Sequence, residues 1–280
     1  MSQKNKKVSI IITAYNEEKR IEECLASLVK QDYGLYEIIL TDDGSYDNTV
    51  SIAKKFPVKI IKNNHLGTAK SRNKAATQAT GEILAFLDAD MTFEPNFISK
   101  LVLPINNGQS RGTFSKLEYV KNWNNPIARL WNWVNNPELP DKYRVSQKSN
   151  TGEDFRALLA SEFHKVGGFD DTGYTDTWSL AKKLGYKPTN ATGALYYHYN
   201  PESYDEVLHQ AAWIGRRTYK YGILGDLIAF ARANPVSSVL KGIVLMFKKK
   251  ELRAIPFQLH YDAGIMTGLL SRLFSGKLSK

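Results

Sequence analysis

Residues 84–93 read LAFLDADMTF. Residues 83–87 are an uninterrupted apolar run with the look of the inside of a sheet, and two carboxylates, Asp88 and Asp90, follow at once. A buried strand that ends in two negative charges is delivering them to a place where a ligand or ion can neutralise them. The alternative reading is a turn or helix cap, with Thr92 and Pro95 opening the next helix, but a cap requires one short acid rather than two.

The surrounding sequence supplies the frame. An apolar strand is expected over residues 8–13. Residues 17–31 carry Ile21, Cys24, Leu25 and Leu28 at i, i+3, i+4 and i+7, the spacing of an amphipathic helix. Strands at 37–41, 58–62 and 83–87 then alternate with helices at 45–55 and 68–80, and Gly81 stands where a helix end calls for a left-handed residue. This order predicts an α/β fold, a Rossmann-like and mostly parallel sheet with helices on both faces. In such sheets ligands bind beyond the carboxyl ends of the strands. The sequence puts Thr13, Tyr15, Asn16 and Glu17 after the first strand, Asp42, Asp43, Gly44 and Ser45 after the second, and Asp88 and Asp90 after the fourth.

Beyond residue 110 the pattern loosens into an aromatic, Asn-rich stretch up to about residue 148. A helix from about residue 153, a turn at Gly167-Gly168-Phe169-Asp170, a short helix over 177–184, a strand over 193–198 and a helix over 203–221 are expected to follow.

With 280 residues and 42% hydrophobic content the chain can bury a full core, as one large domain or two unequal ones. Its charge of +10 is segregated: residues 211–280 hold 12 Lys+Arg against 3 Asp+Glu, leaving 26 against 25 in residues 1–210. A nucleic-acid enzyme would carry its basic stripe beside its chemistry, so the pattern argues for no nucleic acid and for a separate anionic partner of the tail. In residues 236–247 the apolar positions Val236, Val239, Leu240, Ile243, Val244 and Phe247 recur at helical spacing, and three lysines follow. That run is too short to cross a bilayer alone but suits an anionic membrane surface, contacted through residues 222–280. The other reading is a helix packed on the catalytic region. The single cysteine, Cys24, excludes an intramolecular disulfide and a Cys-based metal site, and no secretory signal pattern is read. The expected location is cytoplasmic, peripheral at the inner face of the cytoplasmic membrane.

Four segments taken in order, VSIIITAYNEE (8–18), EIILTDDGSYDNT (37–49), GTAKSRNKAATQATGEILAFLDAD (67–90) and GGFDDTGYTDTWSLAKKLGY (167–186), resemble the family 2 glycosyltransferases of GT-A fold over roughly residues 7–220. The resemblance implies a nucleotide-sugar donor, UDP- or GDP-linked, a divalent metal and transfer with inversion. Thr13, Tyr15 and Glu17 match positions that line the nucleoside pocket. Asp42 and Asp43 match paired acids of which one reads base or ribose, Arg72 a residue that contacts the base, and Asp88 and Asp90 the DxD, the first toward ribose and sugar and the second on the metal. His198 matches a third metal or pyrophosphate ligand. A hard cation held by carboxylates and donor phosphates fits the same assignment physically, Mn²⁺ or Mg²⁺, with histidine favouring Mn²⁺.

Inverting transfer requires a general base for the acceptor hydroxyl. Where the family reads Glu-Asp-x-Asp, this chain has Thr175-Asp176-Thr177-Trp178, so Asp176 is the candidate base, Asp170 and Asp171 compete with it, and an N-cap role is the alternative. Gln210-Ala211-Ala212-Trp213 lacks the arginine of the processive motif, which implies transfer of a single sugar. The expected organisation is a catalytic domain over 1–210, with a donor half of about 1–110 and an acceptor half of about 111–210, and a basic amphipathic helical tail over 211–280. The expected acceptor is lipid-linked or an envelope glycan. A soluble transferase with a protein or small-molecule acceptor, and a non-catalytic nucleotide-sugar binder, are the competing functions.

Overall fold

A computed structural model of the chain describes residues 5–145, 152, 154–171, 176–217, 219 and 221–275. These fall into two units, one drawn from Met1–Tyr119, Val145–Asp171 and Asp176–His198, the other from Val120–Arg144 and Tyr199–Lys280.

The first unit is built on strands β1 (Val8–Ala14), β2 (Tyr36–Asp42), β3 (Lys59–Lys62) and β4 (Ile83–Asp88), all parallel, with helices α1 (Ile21–Leu28), α2 (Thr49–Ala53) and α3 (Thr68–Ala76) between them. The apolar strands are buried on both sides, as parallel strands flanked by helices must be. Ile10, Ile12, Ile38 and Leu40 pack with Cys24, Leu25 and Leu28 of α1 on one face. Ile11, Ile39, Leu84 and Phe86 pack with Ala75 and Ala76 of α3 on the other. The chain continues through β5 (Met91–Phe93), α4 (Phe97–Asn106), β6 (Gly112–Phe114), β7 (Leu117–Val120), α5 (Pro126–Asn135), β8 (Ala157–Leu159), α6 (Ala160–Lys165), α7 (Asp176–Leu184), β9 (Thr189–Asn190) and β10 (Leu195–His198). The seven-stranded sheet has the order β3-β2-β1-β4-β8-β6-β9, and β5-β10-β7 form a smaller one.

Two expectations are corrected. A helix from about residue 153 does not form: Ala157 and Leu158, fully buried, pair antiparallel with β4 on one side and with β6 on the other, and helix begins only at Ala160. Sheet pairing over a long sequence separation overrides a local helical pattern here. Gly81 is not left-handed. A side chain there would strike the backbone of residues 7 and 9, its Cβ 2.5 Å from Ser9 N, so glycine serves close approach rather than a helix end.

The second unit is built mainly of helices: α5, α8 (Tyr204–Gly215), α9 (Gly222–Arg232), α10 (Pro235–Lys249) and α11 (Ala254–Ser275). Helix α8 stops at Gly215 rather than at residue 221. It packs Val207, Ala211 and Ile214 with Phe257 and Ile265 of α11 and with Leu130 and Trp131 of α5. The small residues Ala211, Ala212 and Gly215 face Gly264 and Gly268, where any side chain would collide with the backbone of α8, and this brings the two helices close together.

Candidate active site

In the first unit the strand order turns at β1 and β4, which run side by side while the chain winds outward to β2 and β3. That is the switch point at which open α/β sheets leave a crevice. The register aligns Thr13 with Thr41 on one side and with Asp88 on the other, so the half-buried Thr13 lies at the floor of that crevice.

The loops around it are laced together. Asn16 N–H donates to Ser45 Oγ at 2.9 Å, Tyr46 N–H to Asn16 Oδ1 at 3.0 Å, and Glu17 N–H to Thr49 Oγ1 at 2.7 Å. Tyr15 is exposed and its ring lies 4.5 Å from that of His65 and 6.3 Å from that of Tyr46, an aromatic group at the mouth of the crevice. The acids after β2 point inward. Asp42, 3% exposed, accepts from Ser45 N–H at 3.2 Å. Asp43 accepts from Leu66 N–H (2.8 Å), Gly67 N–H (2.9 Å) and Ser71 O–H (2.7 Å), so its carboxylate moulds the loop between β3 and α3.

The two acids of LAFLDADMTF have different surroundings. Asp88, the last residue of β4, is gripped by two guanidinium groups: Arg72 from α3 at 2.5 Å on one oxygen and Arg156 at 3.2 Å on the other. Burial would raise its pKa, but Arg72 and then Arg156 outweigh burial and hold it at about 2. Arg156 is the arginine that sequence reasoning missed. Its position follows from the antiparallel pairing of β8: Phe86 N–H donates to Arg156 O at 2.9 Å, which carries the side chain to the carboxyl end of β4. Burial opposes its charge, but Tyr196, Asp88, Glu118 and Asp154 around it keep the guanidinium firmly protonated.

Asp90 lies in the turn between β4 and β5, with Oδ2 3.0 Å from His198 Nε2. His198 ends β10, whose antiparallel pairing with β5 aligns it with Met91. On its other side Nδ1 meets Glu118 Oε1 at 2.9 Å, and the second oxygen of Glu118 accepts from Tyr196 O–H at 2.7 Å. Glu17 looks toward the same pair: burial first, then Asp90, push its carboxyl well above the usual range, against the pull of Arg20. Thr13, Glu17, Arg72, Asp88, Asp90 and His198 are therefore brought together, whereas Asp42 and Asp43 shape neighbouring loops. Asp176 opens α7, and its side chain lies outside the described residues.

Asp90 and His198 suit a hard or borderline divalent ion, offering one oxygen and one nitrogen side by side. Among the described residues no group of three or more His, Cys, Asp or Glu is arranged to hold an ion. An ion there would need oxygens from a bound diphosphate to complete its shell, the usual arrangement for Mg²⁺ or Mn²⁺ on a nucleotide.

Beside this cluster a cavity of about 130 Å³ is lined by Phe114, Glu118, Asp154, Arg156, Trp178 and Tyr196 among others. Among the described residues Asp154 Oδ1 is buried there without a hydrogen-bond partner. A larger hollow of about 420 Å³ runs along α7 past Lys182 and Lys187, and among the described residues its wall holds no carboxylate or histidine.

Residues 9–165 match the model of Glycosyl transferase family 2, more than half of the chain. The chain belongs to glycosyltransferase family 2. Relatives of this family 2 protein include a dolichol-phosphate mannosyltransferase of Pyrococcus furiosus, 33% identical over 133 residues, or 45% of this chain and 36% of that protein. Another is the poly(ribitol-phosphate) beta-N-acetylglucosaminyltransferase TarS of Staphylococcus aureus, 40% identical over 92 residues, 30% of this chain and 16% of that one. The chain thus matches little more than a third of the length of the first and less of the second. The mannosyltransferase PcManGT from Pyrobaculum calidifontis, solved with GDP-Man and Mn²⁺, superposes with a TM-score of 0.60 at 17% identity, covering 98% of this chain and 89% of that one. The fold of the family 2 protein is accordingly GT-A, with added C-terminal helices.

Proposed function

We propose that this family 2 protein is an inverting glycosyltransferase that moves a single sugar from a UDP- or GDP-sugar to a lipid-linked or glycan acceptor at an anionic membrane surface. The observation that carries the reading is the pairing of opposite arrangements at one strand end: Asp88 neutralised by Arg72 and Arg156, and Asp90 beside His198. The first offers buried positive charge beside the crevice. The second offers ligands for a divalent ion.

In this reading Thr13, Tyr15 and Glu17 line the nucleoside pocket, with Asp42 and Asp43 framing it and Arg72 toward the base, and Asp88 acts on the ribose and sugar side. Asp90 and His198 would hold Mn²⁺ or Mg²⁺, which supplies neutralisation of the departing diphosphate. The acceptor oxygen attacks the anomeric carbon, the bond from that carbon to the diphosphate oxygen breaks on the opposite face, and the acceptor proton passes to a carboxylate. Asp176 is the proposed base. Asp154 is the second candidate, favoured by its buried, unpartnered oxygen in the cavity beside Arg156. Relatives named for a dolichol-phosphate and for a ribitol-phosphate polymer support a lipid-linked or glycan acceptor.

The test is donor turnover. A panel of nucleotide sugars is screened by thermal shift with Mn²⁺, and the one that stabilises is assayed for hydrolysis and transfer. Asp90→Ala is expected to abolish metal-dependent turnover, and unchanged activity would remove the metal role. Between Asp154→Asn and Asp176→Asn, the base is the one whose loss lowers kcat while donor affinity stays.

A further inference from the structure

The second unit is inverted in polarity along α9 and α10. Helix α9 exposes Ile223 (80%), Leu227 (61%) and Phe230 (45%), and buries Gly225 and Asp226. Helix α10 exposes Val236 (71%), Leu240 (60%), Val244 (65%) and Phe247 (75%), and buries Ser238 and Gly242. Gly242 lies against Ile255, Asp226 pairs with Arg272 at 2.5 Å, and Lys241 pairs with Asp262 at 2.5 Å, so polar and small groups fasten both helices to α11 while the apolar face is left outward. This is the reverse of what water selects, and contiguous apolar surface of this kind marks an interaction site.

The charge around that face points to the occupant. The three acids between residues 222 and 275, Asp226, Glu251 and Asp262, are all turned inward and ion-paired, to Arg272, to Arg129 and Arg253, and to Lys241. Arg232, Lys248 and Lys250 are exposed, and all three stand at the C-terminal ends of the two helices. The exposed acid beside this end of α10, Asp141, is paired with Lys249 at 3.5 Å, and apolar faces ending in exposed cations, with no exposed acid on α9, α10 or α11, complement a monolayer of anionic lipids.

Geometry sets the depth. Helices of 11 and 15 residues reach about 17 and 22 Å, short of the roughly 30 Å of a hydrocarbon core. No single helix among the described residues is long and apolar enough to cross a membrane; α9 and α10 reach that length and composition only when taken together, and they meet at a bend of 66°. The bend is encoded: Asn234 caps α10 by accepting from Ser237 N–H at 3.0 Å, and Pro235 at the first helical position cannot continue α9.

We propose that α9 and α10 form a bent apolar wedge that enters the acyl region of one anionic leaflet, with Arg232, Lys248 and Lys250 at the phosphates. This rests on the membrane-surface reading above and deepens it, from attraction by charge to insertion of a built surface.

The test uses the full chain with vesicles of phosphatidylcholine alone and with phosphatidylglycerol. Nitroxides are placed at Leu227→Cys and Val244→Cys, with Cys24 left in its buried site. Expected are binding to the anionic vesicles that persists in about 0.5 M NaCl, where surface charge is screened, and labels reached by oxygen but shielded from a water-soluble relaxer. Leu227→Glu with Val244→Glu should lower partition at least tenfold without changing the melting temperature, since both positions are exposed. Binding lost in salt, with both labels open to water, overturns the wedge and leaves the membrane-surface reading standing. No binding to either vesicle overturns both, and a dimer that stays off vesicles assigns the face to a second copy and overturns the wedge. Donor turnover is unaffected by any of these results.

Discussion

His198 and Glu118 are joined at 2.9 Å, Nδ1 to Oε1, which turns Nε2 of the imidazole toward Asp90. A carboxylate behind a histidine fixes the tautomer and orientation of the ring, and loss of such a partner typically weakens metal affinity 10–100-fold. Glu118→Gln is therefore expected to weaken Mn²⁺ binding by about that factor while Asp90 and His198 are intact. The electron paramagnetic resonance signal of free Mn²⁺ during a titration measures it directly, and unchanged affinity removes the positioning role.

Asp88 is shared by two arginines. Asp88→Asn removes the carboxylate between Arg72 and Arg156 and should cost about 3–5 kcal/mol, the usual effect of breaking a buried pair from one side. Urea denaturation of the two proteins at pH 7 measures the difference, and a loss below about 1 kcal/mol would show that solvent screens the pair.

The same carboxyl sets an acid limit. Its pKa falls from 3.8 to about 2 on folding, so the folded state favours the ionised form. The stabilisation, on the order of 2 kcal/mol, is fully present above about pH 4 and disappears as the pH falls toward about 2. Wild type should lose stability through this window. Asp88→Asn should show a shallower slope there, read from melting temperature against pH.

Asp43 accepts two hydrogen bonds from the loop that follows β3 and a third from Ser71 of α3. Asp43→Ala strands two backbone N–H groups and a hydroxyl, at a cost of about 2–4 kcal/mol. Amide exchange at Leu66 and Gly67 should accelerate, and donor affinity should fall with the loop. Protection unchanged at those two amides would contradict the moulding role.

Gly168 is left-handed at φ +75°, and a Cβ there would collide with Asn73 Oδ1. Asn73 clamps the turn by accepting from Phe169 N–H at 2.9 Å and donating to Phe169 O at 2.8 Å. Gly168→Ala should destabilise by about 1–3 kcal/mol through strain and loss of the clamp. The neighbouring Gly167→Ala, with open space around its Cβ, should cost less, and equal losses in the two proteins would locate the effect in the backbone alone.

Much of the parallel sheet and its polar edge was legible in the sequence. The parallel strands β1 to β4 read as apolar runs because both their faces are covered, and polar residues at their ends stood out for that reason. The helix at 236–247 was legible from its period. What failed was local. The stretch around residues 153–165 has helical spacing, yet Ala157 and Leu158 are taken by sheet partners from β4 and β6. The signal that would have found Arg156 is a lone arginine opening an apolar run of strand length, which is weak without knowing what the run pairs with.

The sequence by itself determined the order of strands and helices, the acids at the strand ends, the segregation of charge into the last quarter and the family, because each is written in local pattern or in the order of motifs. The tertiary structure alone decided which charges meet. Asp88 and Arg156 are 68 residues apart, and Glu118 and His198 are 80 apart, so only strand pairing brings them within hydrogen-bond reach. It also decided which way the apolar faces of α9 and α10 look, since a period of 3.6 residues marks a stripe but not whether another helix covers it.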